Sequence, residues 1–516
     1  MKKQGLLILC FFSLLAFSIG FSANAQQARI TGKVTDASTG EGMPGASVLV
    51  KGTTRGIVTD LDGNFAIEAS STDVLVFSFI GYNTVEETVG TRTSINLTLS
   101  ESVQGLNEVI VVGYGTQEKK EITSAVASIK AEDFNRGTVN DPSQLLQGKV
   151  AGLNISRPGG NPNGGFNIRL RGISSFGANA EPLIVIDGVI GASLSTVDPN
   201  DIESMDVLKD GSAAAIYGTR GSAGVILVTT KSGKKGKAVV EYSGTAATEN
   251  VARTIPIMTA DEYRALPGSN DLGSNTDWFD AVTKTGVSFV NNLSISGGNE
   301  GTSYRMSLNS RNVDGVGINS GFDQLNTRLN LTQRALKDKA LFSINLSNTT
   351  ADRQYGNDNS FRYAIISNPT LPIYDPNPQS PNFGGYAERD IFDWFNPVSI
   401  AEQNINDGRE SRLLASIRGE YNFTSNFKVS AFYSSQRETF WNGTYSPKTA
   451  KFGGGFGRKG LASIRNNETL NDLFETTLNY DKEVGKLDMS FLGGYSYQEF
   501  FYQGDYSQAG NFLTDA

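Results

Sequence analysis

The sequence predicts a mainly β chain: a small β-sandwich, a compact α+β segment, then the long strands of a membrane β-barrel. Three observations carry this. From residue 237 onward apolar and polar residues alternate over runs of about 10 residues, as barrel strands require. The connections between those runs are alternately short and long. And 57 Gly with 29 Phe and 18 Tyr in 516 residues favour tight turns and aromatic-rich strands over helices.

The same composition excludes much chemistry. There is no His, so no His-based triad, general base or metal ligand is available. The one Cys is Cys10, inside a segment read below as removed. The mature chain then has no thiol nucleophile, disulfide or Cys-bound metal. No catalytic constellation, cofactor site or metal site assembles from what remains. A net charge of −8 on an exported chain argues against nucleic acid as a partner.

Residues 1–25 read as a secretory signal peptide. Lys2 and Lys3 form a positive start, residues 6–21 an apolar stretch, and Ala23-Asn24-Ala25 a cleavage site. A retained anchor helix is the other reading, and the stretch is short for a span.

Residues 26–104 alternate like a β-sandwich, with strand candidates at residues 30–34, 46–50, 65–67 and 74–79. The run Asp60-Leu61-Asp62-Gly63-Asn64 resembles half of a calcium loop. Its twelfth position is Ser71 rather than the bidentate Glu, so a tight hairpin turn is the better reading.

Residues 105–117 stand apart. Val109, Ile110, Val111 and Val112 follow Glu108, and Gly113 and Gly115 flank Tyr114. On the residues alone this is either one more buried strand or a strip that a partner adds to an exposed sheet edge.

Residues 118–236 read as a compact α+β segment. Asp141-Pro142 suits the cap and first position of a short helix ending near Gly148. Strands are expected at residues 168–172, 183–188 and 225–230, with a helical turn at 213–217. Lys231, Lys234, Lys235 and Lys237 read as a solvated basic linker.

In residues 237–516, Tyr304, Met306 and Leu308 alternate with Arg305, Ser307 and Asn309. Phe342, Ile344 and Leu346 alternate with Ser343, Asn345 and Ser347. Short turns at residues 297–302, 334–339, 424–426 and 482–486 are separated by long connections at 248–286, 312–322, 348–410 and 439–470. That succession is the rhythm of an outer-membrane barrel, with turns on the periplasmic side and loops outside. A soluble sandwich does not require it.

These residues resemble the SusC/RagA family of TonB-linked outer-membrane proteins along essentially the whole chain. Residues 26–104 look like the carboxypeptidase-regulatory-like domain of that family, and Glu108 to Tyr114 resemble its TonB box. The most specific matches lie in residues 118–236, which resemble its plug. They are Leu146-Gln147-Gly148-Lys149-Val150-Ala151-Gly152-Leu153, Ile168-Arg169-Leu170-Arg171-Gly172 and Leu183-Ile184-Val185-Ile186-Asp187-Gly188. To these add Val207-Leu208-Lys209-Asp210 and Ala215-Ile216-Tyr217-Gly218-Thr219-Arg220-Gly221. Gly211 and Ser222-Ala223 depart mildly from the family pattern.

The resemblance implies a transporter, not an enzyme. A large nutrient, an oligosaccharide or a peptide, binds outside, often under a SusD-like surface lipoprotein. TonB, energised by the ExbB/ExbD complex, then grips the box and remodels the plug. The implied architecture is a 22-stranded barrel in outer-membrane lipid, with periplasmic N-terminal domains. Residues 237–516 hold about nine strands, so the barrel is expected to be truncated and the chain a fragment. No carboxypeptidase activity is implied.

Arg169, Arg171, Arg220 and Asp187 suit polar contacts with the barrel wall or ion pairs inside the plug, and the second reading is favoured. A surface-binding protein without energised transport is the alternative function. In it Tyr374, Tyr386 and Trp394 of the longest loop would carry ligand contacts, although plain loop packing suits each of them better.

Overall fold

The computed structural model describes residues 28–515 apart from 54, 80–81, 101–108, 113–114, 119–125, 136, 138, 158, 173–179, 210–214, 378–382, 390–392 and 486. The signal segment, Glu108, Gly113 and Tyr114 therefore lie outside the described residues.

The first unit is a sandwich. One sheet orders its strands Asn64–Ala69, Ala28–Asp36, Leu97–Leu99; the other orders Gly56–Val58, Ser47–Val50, Val74–Ser78, Val85–Thr88. Alternate residues point inward, so Ile30, Val34, Val48, Leu75, Phe77 and Leu99 form a core closed to solvent. Phe65 and Phe77 meet across the two sheets edge to face, with centroids 5.3 Å apart. The Asp60 turn differs from expectation. Asp60 accepts from the backbone N–H of Asp62 (3.0 Å) and Asn64 (2.7 Å), but the strands it joins lie in different sheets. It is a crossover between sheets, and Gly63 supplies the positive φ it needs.

The second unit contains a plug and a wall. The plug sheet has the order Val126–Lys130, Ile202–Leu208, Val225–Thr230, Leu183–Ile186, Val189–Ile190. A separate hairpin pairs Leu153–Ser156 with Asn167–Leu170. The expected helix is a 3-10 turn, Pro142–Leu146, capped by Asp141 in a reciprocal box with Gln144. The wall is nine antiparallel strands in chain order, from Gly236–Glu249 to Leu487–Gly510. Their lengths run from 13 to 24 residues, longer than the alternation alone implied.

Short connections fall at residues 299–301, 336–339, 425–426 and 485–486, and long ones at 250–285, 356–404 and 447–460. The connection expected at 312–322 shrinks to 315–319. The ladder there runs on to Asp314↔Gly321, taking in residues that sequence alone assigned to a loop.

The two faces of the wall are inverted relative to a soluble protein. Met306 on the outer face is 52% exposed, whereas Asn309 on the inner face is 2% exposed. Only a chain whose outer face meets lipid can leave such apolar residues out and such polar ones in. At the short-turn end Tyr421, Phe423 and Phe427 pack ring against ring on the outer surface, with centroids 4.7 and 5.5 Å apart. That is where an interfacial girdle belongs. Among the described residues no helix is long and apolar enough to cross a membrane.

Candidate functional site

The seam between plug and wall is the best-defined site, and it is polar. It starts at Asp187-Gly188. Their φ values of 49° and 90° make the two-residue turn that joins Leu183–Ile186 to Val189–Ile190. The turn carries the Asp187 carboxylate to the plug's rim. There it accepts the Thr230 backbone N–H (3.0 Å) and hydroxyl (2.7 Å), and it pairs with Arg328 of the wall. A Cβ on Gly188 would stand 2.9 Å from the Arg418 guanidinium, which itself lies 4.4 Å over the Phe432 ring. Glycine lets the plug approach that closely.

Two further plug carboxylates were not singled out from sequence. Asp198 caps the 3-10 turn Pro199–Asp201 and takes Arg311 through two bonds of 2.7 and 3.0 Å. Arg311 also donates to the Val139 carbonyl at 2.6 Å. Asp201 accepts Ser307 Oγ (2.6 Å) and Asn309 Nδ2 (2.7 Å), with Arg305 at 3.4 Å. Thus Arg305, Ser307 and Asn309, the polar half of the alternation read above, all reach one plug carboxylate. Backbone carbonyls complete the seam. Thr196 O accepts Ser347 Oγ at 2.7 Å, and Ile190 O accepts Asn471 and Gln498 at 3.3 Å each. At another point Asn163 donates to Gly321 O (2.9 Å) and Gln354 O (2.7 Å) of the wall.

The favoured reading, ion pairs inside the plug, is therefore corrected for Asp187 and Arg220. Asp187 binds Arg328, and Arg220 donates to Gln498; both partners lie on the wall. The physical reason is that apolar residues such as Val185, Ile186, Val207 and Ile226 fill the plug's interior. Its charges are left to the rim, where the wall supplies the partners. Arg169 sits on the Asn167–Leu170 hairpin strand. Arg171 (φ 58°) and Gly172 (φ 97°) form the left-handed bend after it. Tyr217 is buried in the Ala215–Gly221 turn, which kinks at Gly218 (φ 63°) and ends at Gly221.

The loop aromatics divide. Trp394 is buried with Trp278, Val398 and Leu371 in a core shared by the two longest loops, and donates to Ser367 Oγ at 3.2 Å. It is thereby removed from the ligand candidates. Tyr374 and Tyr386 pack against each other, centroids 5.3 Å apart and ring planes tilted by 36°, and Tyr386 donates to Glu402. Burial pushes the Tyr386 hydroxyl and the Glu388 carboxyl above their ordinary pKa values. The Tyr363 hydroxyl holds Asp393 below the usual carboxylate range.

Strand Val109–Val112 forms a two-stranded sheet with Gly115–Glu118 and, among the described residues, joins no other sheet.

Comparison with known proteins fits this geometry. Residues 118–225 match the TonB-dependent Receptor Plug Domain, and residues 30–111 the CarboxypepD_reg-like domain. The whole chain aligns at 33% identity over 531 residues with TonB-dependent receptor P3 of Formosa agariphila, covering 52% of it. TonB-dependent receptor SusC of Bacteroides thetaiotaomicron is 38% identical over 408 residues, which is 75% of this chain and 40% of SusC. The chain belongs to the SusC-like family of TonB-dependent receptors. This is a family of outer-membrane β-barrel receptors, not of enzymes. The structure of the RagAB peptide importer in its open-open state shares the fold. Its TM-score is 0.66 at 22% identity, over 79% of this chain and 51% of that one. The chain spans about half the length of the curated relatives it matches.

Proposed function

We propose that the protein to which this chain belongs is a TonB-dependent active importer of large nutrients, oligosaccharides or peptides. In this reading residues 26–104 are a periplasmic appendage, 105–117 the TonB box, 118–236 the plug and 237–516 the first part of the barrel. TonB with ExbB/ExbD pulls the box, and a SusD-like lipoprotein covers the loops.

One observation carries the reading: the plug is seated on the wall by hydrogen bonds and ion pairs. A seam of that kind can exchange its partners for water as the plug moves, whereas an interdigitated apolar core cannot. It is also loosely filled in places. A cavity of about 360 Å³ lies between plug and wall, lined by Asn135, Leu145, Asn200, Ser243, Asn292 and Arg311. The box supports the same reading. An isolated two-strand pairing is marginal in water, so its strand can be surrendered to a partner at little cost. The surface-binding alternative loses Trp394, its most apolar contact residue, to the loop core.

The test is deletion of residues 108–114 from the full-length protein in its own cells. Uptake of labelled nutrient is expected to stop while barrel insertion and surface binding persist. Unchanged uptake refutes the reading.

A further inference from the structure

We propose that Asn161-Pro162-Asn163 is a latch. It holds the plug's outward loop on the loop-side rim of the wall, and it keeps the lumen shut against a pull on the box until an incoming ligand displaces it. The inference rests on the importer reading and deepens it by naming the contact that regulates it.

The loop joins the paired strands Leu153–Ser156 and Asn167–Leu170. Its sequence builds a firm turn on loose tethers. Gly159 and Gly160 precede Asn161-Pro162-Asn163, and Gly164 and Gly165 follow it. The Gly164 N–H donates to the Asn161 carbonyl at 3.0 Å, and the Asn163 N–H donates to Asn161 Oδ1 at 3.0 Å. Asparagine at the first position of such a turn and proline at the second stiffen it locally. The flanking glycines leave the turn as a whole free to swing.

What fixes it is the wall. Asn161 Nδ2 donates to the Tyr355 carbonyl at 2.7 Å. Asn163 Nδ2 donates to the carbonyls of Gly321 (2.9 Å) and Gln354 (2.7 Å), which are cross-strand partners. Asn163 Oδ1 accepts Arg353 Nη1 at 3.1 Å. Arg353 is held in turn by Glu410 at 3.0 Å and lies 5.2 Å over the Phe322 ring. Both amides are therefore used at both ends. The fit is also steric. A Cβ on Gly315 would stand 2.6 Å from Pro162 Cδ, so glycine there admits the proline ring. All these partners lie on the loop side, where the pair Asp314↔Gly321 ends its ladder.

The chemistry differs from the rest of the seam. Asp187 and Asp198 meet buried arginines of the wall, so parting them strands a charge. The loop sets neutral amides on backbone carbonyls, and such bonds exchange with any polar group at small cost. A ligand entering from outside brings hydroxyls or amides that compete for the carbonyls of Gly321, Gln354 and Tyr355. Once it displaces the turn, a pull on the box has only the charged part of the seam to overcome.

The experiment uses the full-length protein in its own cells, with vancomycin as the probe, since so bulky and polar an antibiotic needs an open lumen to enter. Asn161→Ala/Asn163→Ala is expected to raise sensitivity about tenfold, the factor that one or two ordinary hydrogen bonds carry. Deleting residues 108–114 from the same variant is expected to restore resistance, because nothing then pulls. A lock supplies the converse. Asn161 Nδ2 lies 3.4 Å from Asp358 Oδ1, the Asp358 side chain caps no helix N–H, and Cys10 is the one native cysteine. Asn161→Cys/Asp358→Cys, added to a leaking Asn163→Ala protein, is expected to close the leak when oxidised and reopen it under reductant. The inference is overturned if the double-alanine variant is as resistant as wild type, if its leak survives loss of the box, as that of a misfolded barrel would, or if the oxidised lock still leaks. Box-dependent nutrient uptake by the wild type together with any of those results leaves the importer reading standing and removes only this one. Box-independent uptake removes both.

Discussion

The N-terminal sandwich and the plug seam are held by opposite means. The sandwich closes over Ile30, Leu75, Phe77 and Leu99, none of which reaches solvent. The seam buries Asp198, Asp201, Arg311 and Asn309 instead, and every partner is a hydrogen-bonding group. Burying apolar surface is non-directional and adds up with area, so the sandwich has no single contact whose loss releases it. Charge pairs in a closed seam depend on each partner, because a survivor left alone is a desolvated charge.

Within the sandwich the largest expected effect is on its core. Phe77→Ala removes a fully buried ring that also meets Phe65. The expected loss is about 3–5 kcal/mol of sandwich stability, read by native-state hydrogen exchange at Val74–Ser78 in the full-length protein. A loss below about 1 kcal/mol, far under the usual range for such a truncation, would break the contrast by showing that the core is not what holds this unit.

The smallest effect sharpens it from the polar side. In the sandwich, Asp36 is half-buried and accepts from Tyr82 and from Ser38, which hold its pKa well below the ordinary 3.8. A carboxylate depressed in the folded state adds stability above its unfolded pKa and loses it as pH falls through the folded one. Stability of this unit should therefore decline below about pH 4, and Tyr82→Phe should lower stability at pH 7 and flatten that acid decline, so that variant and wild type converge at low pH. An unaltered acid profile in Tyr82→Phe would mean that the contact has no energetic weight.

The parts legible in sequence were those with local periodicity. The alternation of Tyr304-Met306-Leu308 with Arg305-Ser307-Asn309 is visible because strand residues two apart share a face. The turn at Asp187-Gly188 was hidden in the expected strand 183–188, which the structure ends at Ile186 because the next two residues take positive φ. Ile202–Leu208, the second strand of the plug sheet, carries no strand pattern of its own. Glu203, Ser204 and Asp206 interrupt its apolar run, and the neighbouring strands rather than its own pattern keep it extended. Gly56–Val58 and Leu97–Leu99 are too short to show a period. The seam itself was hidden by distance. Asp187 and Arg328 are 141 residues apart, and Asp198 and Arg311 are 113 apart, so nothing local to either names the other. The loop core is hidden likewise, because Trp278 and Trp394 belong to different loops.

The central claim is that charge pairing seats the plug, and a double-mutant cycle on Asp198 and Arg311 tests it most directly. Asp198→Ala, Arg311→Ala and the double variant would be made in the full-length protein. Exchange protection of the plug strand Val225–Thr230 would be measured for each. Each single change is expected to cost about 3–5 kcal/mol, because it leaves one buried charge alone. The double change should cost clearly less than the sum, with a coupling of about 1 kcal/mol or more. Additive losses, or single variants that protect the plug as well as wild type does, would contradict the account.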